Sequence, residues 1–158
     1  TKRNLNEAKW LIQSIENRND TLLKVASSIV KAQKDFFEEG TESMKSMVLK
    51  DIADELELHE STVSRITTHK YISTPLGVFE LKYFFSSHIK TTNGEEFSSI
   101  AIRAILKKLI DEESATRPLS DSKLGFLLND MGINIARRTV AKYREGMGIV
   151  SSSERKHI

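Results

Sequence analysis

Hydrophobic positions along the chain recur at three- and four-residue steps, the spacing of one helical face. In the N-terminal stretch they are Ala8, Leu11, Ile15, Leu22, Val25, Ile29, Ala32 and Phe36, with residues 17–20 the only polar gap. Ala8, Ile15, Leu22, Ile29 and Phe36 stand seven apart, the seam of a straight helix packed along its length. The pattern predicts one helix over residues 5–39, roughly 50 Å long at about 1.5 Å per residue, with Gly40 as its stop. The alternative is two helices broken at Asn19-Asp20, Asp20 capping the second. Trp10, Phe36 and Phe37 read as core or contact anchors.

From Leu49 the pattern shortens. Ile52, Leu56, Leu58, Val63 and Ile66 fall where two short crossing helices pack inward, and Ala53 is the small residue at the crossing. Glu57 stands where many such turns carry glycine, so the turn is expected at some strain. The exposed positions of the second helix would be His59, Glu60, Ser61, Ser64, Arg65 and Thr68. If this pair is a helix-turn-helix on DNA, Ser61 and Thr62 reach phosphates or bases, and Arg65 is the only cation for bidentate readout. Glu60 would restrict the base opposite it. Helical hairpins with this packing also serve as protein contacts.

Pro75 ends the unit, because the residue before proline is pushed out of the helical region. The run Phe79, Tyr83, Phe84 and Phe85 is either a base-stacking platform or, with acidic Glu80 and single Lys82 beside it, buried against the preceding helices. Residues 91–96 are polar and turn-forming, the expected linker. Beyond them Ser98 or Ser99 caps a helix that turns Ile102, Ile105, Leu106, Leu109 and Ile110 inward. Leu119 and Leu124 flank a Ser120 cap like a hydrophobic staple, and the helix it starts buries Leu124, Leu127 and Leu128. Gly125 is the small residue at its crossing. The sequence shows no sustained alternation, and glycine (7) and proline (2) are sparse. The expectation is an all-α chain divided into residues 1–90, a linker 91–96 and a C-terminal unit 97–158.

The last predicted helix carries Ala136-Arg137-Arg138-Thr139-Val140-Ala141-Lys142-Tyr143-Arg144-Glu145. Ala136, Val140 and Tyr143 fall on one side, leaving the cations on the rest of the cylinder. Arg137 and Arg138 open the helix, and the first turn of a recognition helix is what reaches base edges in a major groove. Arg137 and Arg138 are expected to read bases, Lys142 and Arg144 to hold phosphates. Thr139 and Tyr143 reach phosphate through a hydroxyl or, for Tyr143, pack inward. A surface helix charged for solubility is the plain alternative.

These ten residues resemble, without a departure, the promoter-reading box of the sigma-54 family of enhancer-dependent bacterial transcription initiation factors. Residues 81–88 are similar to the family as well, and the resemblance spans essentially the whole chain. It implies the C-terminal portion of such a factor: an extra-long helix leading into a first helix-turn-helix, then a C-terminal promoter-binding unit. It further implies that the box reads an upstream GG element and the first motif, through Arg65, a downstream GC element next to where melting begins. The implied partners are promoter DNA, core RNA polymerase and an AAA+ enhancer-binding activator that spends the ATP, so no cofactor is expected. The implied location is the bacterial cytoplasm, at the nucleoid.

Charge sharpens this picture. The whole chain carries only +2. From Ala136 onward Arg137, Arg138, Lys142, Arg144, Arg155 and Lys156 outweigh Glu145 and Glu154, so the positive charge sits where the motif is. Nucleic-acid affinity must come from such clustering. The absence of cysteine excludes disulfides and thiolate metal sites, and no apolar run approaches the roughly 20 residues of a membrane span. The start at Thr1 inside a helical pattern suggests a fragment. His59, His69, His88 and His157 lack metal-ligand spacing and no glycine loop cradles phosphate, so no enzyme activity is expected. The competing function is a helical protein-interaction scaffold with incidental affinity for DNA.

Overall fold

The computed structural model describes residues 2–86, 88–90 and 96–156, with backbone alone at 88–90 and 96. Most of these residues are helical, in the order α1 (Lys2–Ala32), α2 (Lys34–Glu39), α3 (Leu49–Leu56), α4 (Glu60–Thr67), α5 (Ser99–Asp111), α6 (Asp121–Asp130), α7 (Arg137–Gly146) and α8 (Ser152–Arg155). The all-α expectation needs one correction, because two antiparallel hairpins interrupt the helices. β1 (Tyr71–Thr74) pairs with β2 (Gly77–Glu80), and β3 (His88–Lys90) with β4 (Glu96–Ser98). The helical pair ends at Thr67, before the Pro75 expected to end it, and Pro75 instead lies in the turn between β1 and β2, with Gly77 at φ 131°. The expected linker at 91–96 lies, up to residue 95, outside the described residues, and Glu96 opens β4.

The long helix runs without a break through residues 17–20, so the two-helix alternative at Asn19-Asp20 does not hold. The polar gap is absorbed by the helix itself: Thr21 Oγ1 donates to the Asn17 carbonyl at 2.9 Å, and Gln13 Nε2 to Asn17 Oδ1 at 3.2 Å. Its C-terminal limit differs from the expected single rod. α1 ends at Ala32, a turn at Gln33 follows, and α2 ends at Glu39; the Gly40 N–H still bonds the Phe36 carbonyl at 2.9 Å, and its φ of 103° then turns the chain out of the helix.

Contacts divide the chain into two compact units. One comprises the residues up to Lys34 together with Val48–Phe85, the other Asp35–Met47 together with the residues from Ser86 on. The division falls at Phe85–Ser86 and around residues 35–47, ahead of the linker expected at 91–96. In the first unit α3 and α4 pack on the C-terminal half of α1. Val25, Ile29, Ile52, Ala53, Val63, Leu81 and Phe84 form its buried interior, each large side chain stabilising by about 1.5–3 kcal/mol on burial. Ser28 on α1 donates to the Glu55 carboxylate on α3 at 2.7 Å. The turn between α3 and α4 places Glu57 at φ 55°, ψ 42°, the left-handed region that costs a non-glycine residue about 1–2 kcal/mol.

The aromatic run packs at the edge of this interior, with Phe84 buried and Phe79, Tyr83 and Phe85 half-buried. Phe79 stacks on Tyr83 with centroids 5.1 Å apart, and Phe84 is fully buried against both. Burial raises the Tyr83 pKa. The stacked Phe79 and Tyr83 rings lean on buried Phe84, the packing against the preceding helices that the acidic Glu80 and single Lys82 favoured over base stacking.

In the second unit Ile102, Leu106 and Ile110 of α5, Leu124 and Leu128 of α6, and Val140 and Tyr143 of α7 close one core with Ile133. Ser98 Oγ caps α5 by accepting from Ala101 N at 2.9 Å, and Ser120 Oγ caps α6 by accepting from Lys123 N at 3.2 Å. Between α6 and α7, Gly132 takes φ 85° and Ile133 N bonds the Leu128 carbonyl at 2.9 Å, which turns the chain toward α7.

Candidate nucleic-acid interface

The charged face of α7 follows from which of its positions the core claims. Val140 and Tyr143 are buried, and Arg137, Arg138 and Lys142 project into solvent with Thr139 half-buried. Neither arginine nor Lys142 has an acidic or hydrogen-bonded partner among the described residues. Arg138 and Lys142 stand four apart on the same exposed side, a like-charge pair that costs an isolated helix about 0.2–0.5 kcal/mol. An anion bound from outside would reverse the sign of that term.

Arg144 departs from the expected role of phosphate clamp. Its side chain is 5 % exposed. Nε and Nη2 donate to the two Asp121 carboxylate oxygens at 2.8 and 3.1 Å, and Nη1 donates to the Ile149 carbonyl at 2.7 Å. With Asp121 at the first position of α6, the guanidinium fixes α6 against the C-terminal end of α7. Its pKa is raised, chiefly by the hydrogen bonds to Asp121. The signal was present in the sequence: Arg144 follows buried Val140 by four residues and so shares its face.

Tyr143 likewise turns inward, with the Arg103 guanidinium 5.0 Å from its ring centroid. Burial raises its pKa, with Arg103 opposing. A second clasp, which the sequence reading did not anticipate, joins α8 to the α5–α6 connection. Arg155 Nε and Nη2 donate to the Glu113 carboxylate at 2.7 and 3.1 Å, and Nη2 also donates to the Leu119 carbonyl at 2.9 Å. The Arg155 hydrogen bond is the main reason the Glu113 carboxyl is held below its ordinary pKa.

On α4, Glu60, Ser61 and Arg65 are exposed, while Thr62 and Ser64 are half-buried. Arg65 has no partner among the described residues. Capping differs between α7 and the helices packed with it. The N-cap residues of α4 and α7 are His59 and Ala136, neither of which accepts a side-chain bond from its helix. α5 and α6, packed with α7, are capped by serine hydroxyls, whereas Val48 at the N-cap of α3, packed with α4, accepts no side-chain bond. Alanine at an N-cap forgoes about 1 kcal/mol relative to serine, and it leaves backbone N–H groups beside the two arginines open to an external anion.

Residues 1–157 match the family model described as Sigma-54, DNA binding domain. The chain is 62% identical over 157 residues to the RNA polymerase sigma-54 factor of Vibrio anguillarum, covering 99% of this chain and 32% of that one. It is 60% identical over the same length to the factor of Escherichia coli K12, covering 33% of it. The chain therefore spans about a third of the length of these relatives. The fold is similar to a solved structure titled as Aquifex aeolicus sigmaN bound to promoter DNA. The TM-score is 0.66 at 36% identity, covering 98% of this chain and 47% of that one. By its sequence over nearly its whole length, the chain belongs to the sigma-54 DNA-binding domain family.

Proposed function

We propose that this chain reads promoter DNA for bacterial RNA polymerase through two helix-turn-helix units, α3–α4 and α6–α7. In this reading α7 recognises the upstream GG element and α4 the downstream GC element, and the longer factor to which the chain corresponds directs core polymerase to promoters opened by an AAA+ activator in the bacterial cytoplasm. The observation that carries it is the uncapped start of α7 with Arg137, Arg138 and Lys142 exposed and unpaired. Arginine at the first turn pairs bidentately with guanine, and lysine supplies a point charge for phosphate. Thr139 lies at the edge of that face and Ser61, Thr62, Ser64 and Glu60 on α4 border Arg65 in the same way. Tyr143 and Arg144 hold α7 in place for this task and take no part in contact.

A protein partner has its own support. Leu5, Leu11, Ile12 and Ile15 on the N-terminal half of α1 are each 51–57% exposed, Leu11 and Ile15 on the stripe that continues toward buried Val25 and Ile29. Core polymerase is the partner the family reading supplies for it, and this contact accompanies DNA reading instead of replacing it.

The test is a salt titration of binding to a duplex carrying both elements, beside one with the GG doublet changed. Binding that is tight, steep in log salt and lost with the doublet supports the reading. Arg137→Ala or Arg138→Ala should cost about 1–3 kcal/mol and relax base preference, whereas Lys142→Ala should weaken all sequences alike. Equal, weak binding to both duplexes would leave α7 as a non-specific clamp.

A further inference from the structure

Phosphate contacts fix the register of a recognition helix, and base contacts give it sequence preference. The exposed side of α4 is short of the first kind. It offers one cation, Arg65, and Glu60 on the same helix cancels its charge. A helix so balanced gains little from the field of the DNA backbone, so the holding charge has to come from a neighbouring element.

The β1–β2 hairpin returns the chain to supply one. Lys82 lies in the 3-10 turn Leu81–Phe84 that follows β2 and is exposed. Its ammonium donates to Thr68 Oγ1 at 2.9 Å, and that hydroxyl donates to the Ser64 carbonyl at 2.7 Å. Thr68, half-buried, is the C-cap residue just past α4, three residues after Arg65 and seven after Ser61, at the end of the side those two line. The backbone carrying Lys82 is fixed on both flanks. Leu81 is 3% exposed and its N–H bonds the Lys70 carbonyl at 2.8 Å, while Phe84 is fully buried.

The ammonium has no carboxylate partner among the described residues. Glu80, two residues earlier, accepts from the His69 backbone N–H at 2.8 Å. Of the three ammonium protons, Thr68 takes one, which leaves two donors and a full charge beside Arg65.

We propose that Lys82 is a phosphate-binding residue of the α4 interface, holding a DNA backbone phosphodiester that flanks the element α4 reads. The proposal rests on the reading of α4 as a DNA-binding helix. Thr68 is its positioning residue, aiming the ammonium before DNA arrives.

The experiment uses the full chain and a labelled duplex carrying only the downstream element, beside a scrambled duplex, titrated with salt. Lys82→Gln should weaken both duplexes alike, by about tenfold near physiological salt, and reduce the slope of log affinity on log salt by about 0.9. Lys82→Arg should restore the slope. Thr68→Val should lower affinity with the slope retained, since the charge stays but its aim is lost. Arg65→Ala should act on the cognate duplex alone. An unchanged slope in Lys82→Gln, with cognate binding lost in Arg65→Ala, overturns the role of Lys82 and leaves α4 as a reader. Wild-type binding in both variants overturns the α4 reading itself.

Discussion

Arg144 shows how one residue type serves two ends within ten positions. Arg137 and Arg138 lie at the exposed start of α7, and Arg144 near its end is sealed in a fork with Asp121. Removing one partner of a buried pair leaves the other charged and uncompensated, at a cost of about 3–5 kcal/mol. Arg144→Ala should therefore lower the thermal midpoint of the second unit by many degrees and abolish binding to a duplex carrying only the upstream element through loss of structure. Lys142→Ala, at an exposed position, should bind less yet melt like the parent. Arg144→Lys keeps the charge but loses the planar fork and should fall between them. A melting curve for Arg144→Ala that superimposes on the parent would return this arginine to the list of phosphate contacts.

At the scale of elements, what was legible depended on how long each pattern persists. α1 and α5 repeat their apolar face over several turns, so both were visible, and serine caps at Ser98 and Ser120 marked helix starts by their own chemistry. β1 and β2 are four residues each, too short for alternation to declare itself. Their outward positions carry Tyr71 and Val78, 64% and 68% exposed, where an amphipathic strand would show polar residues. The turn at Gln33 was hidden because Ile29 and Phe36 keep the seven-residue step across it. Lys82 escaped for another reason: its partner Thr68 lies fourteen residues back, and only the hairpin brings them together. Gly125 was placed at the α6–α7 crossing, and the structure says how much room it leaves. A Cβ built there meets Val140 Cγ2 at 3.8 Å, an ordinary contact. Gly125→Ala should therefore be tolerated and stabilise α6 by about 0.5–1 kcal/mol, since glycine is the costlier residue inside a helix. Gly125→Leu should push α7 away and destabilise. Calorimetry on the pair decides it, and a lower midpoint for Gly125→Ala would mean the crossing admits no methyl.

At the scale of the whole molecule the net charge of +2 predicts little attraction to DNA, and the distribution of that charge predicts a good deal. Three unpaired cations lie on α7 (Arg137, Arg138, Lys142), and two belong to the α4 side (Arg65, Lys82). Each phosphate neutralised contributes about 0.9 to the slope of log affinity on log salt for duplex DNA. A duplex with only the GG element should then give a slope of about 2.7 from these cations, and one with only the downstream element about 1.8. A duplex carrying both at promoter spacing should approach the sum, about 4.5, if both units engage it together. Arginines that contact base edges instead of phosphates lower these values without changing their order. The same slope on all three duplexes would mean that a single surface accounts for binding and that the second unit is a bystander. Slopes that rise from one element to two, with the downstream increment removed by Lys82→Gln and the upstream one reduced by Lys142→Ala, would assign the electrostatic work residue by residue across both units.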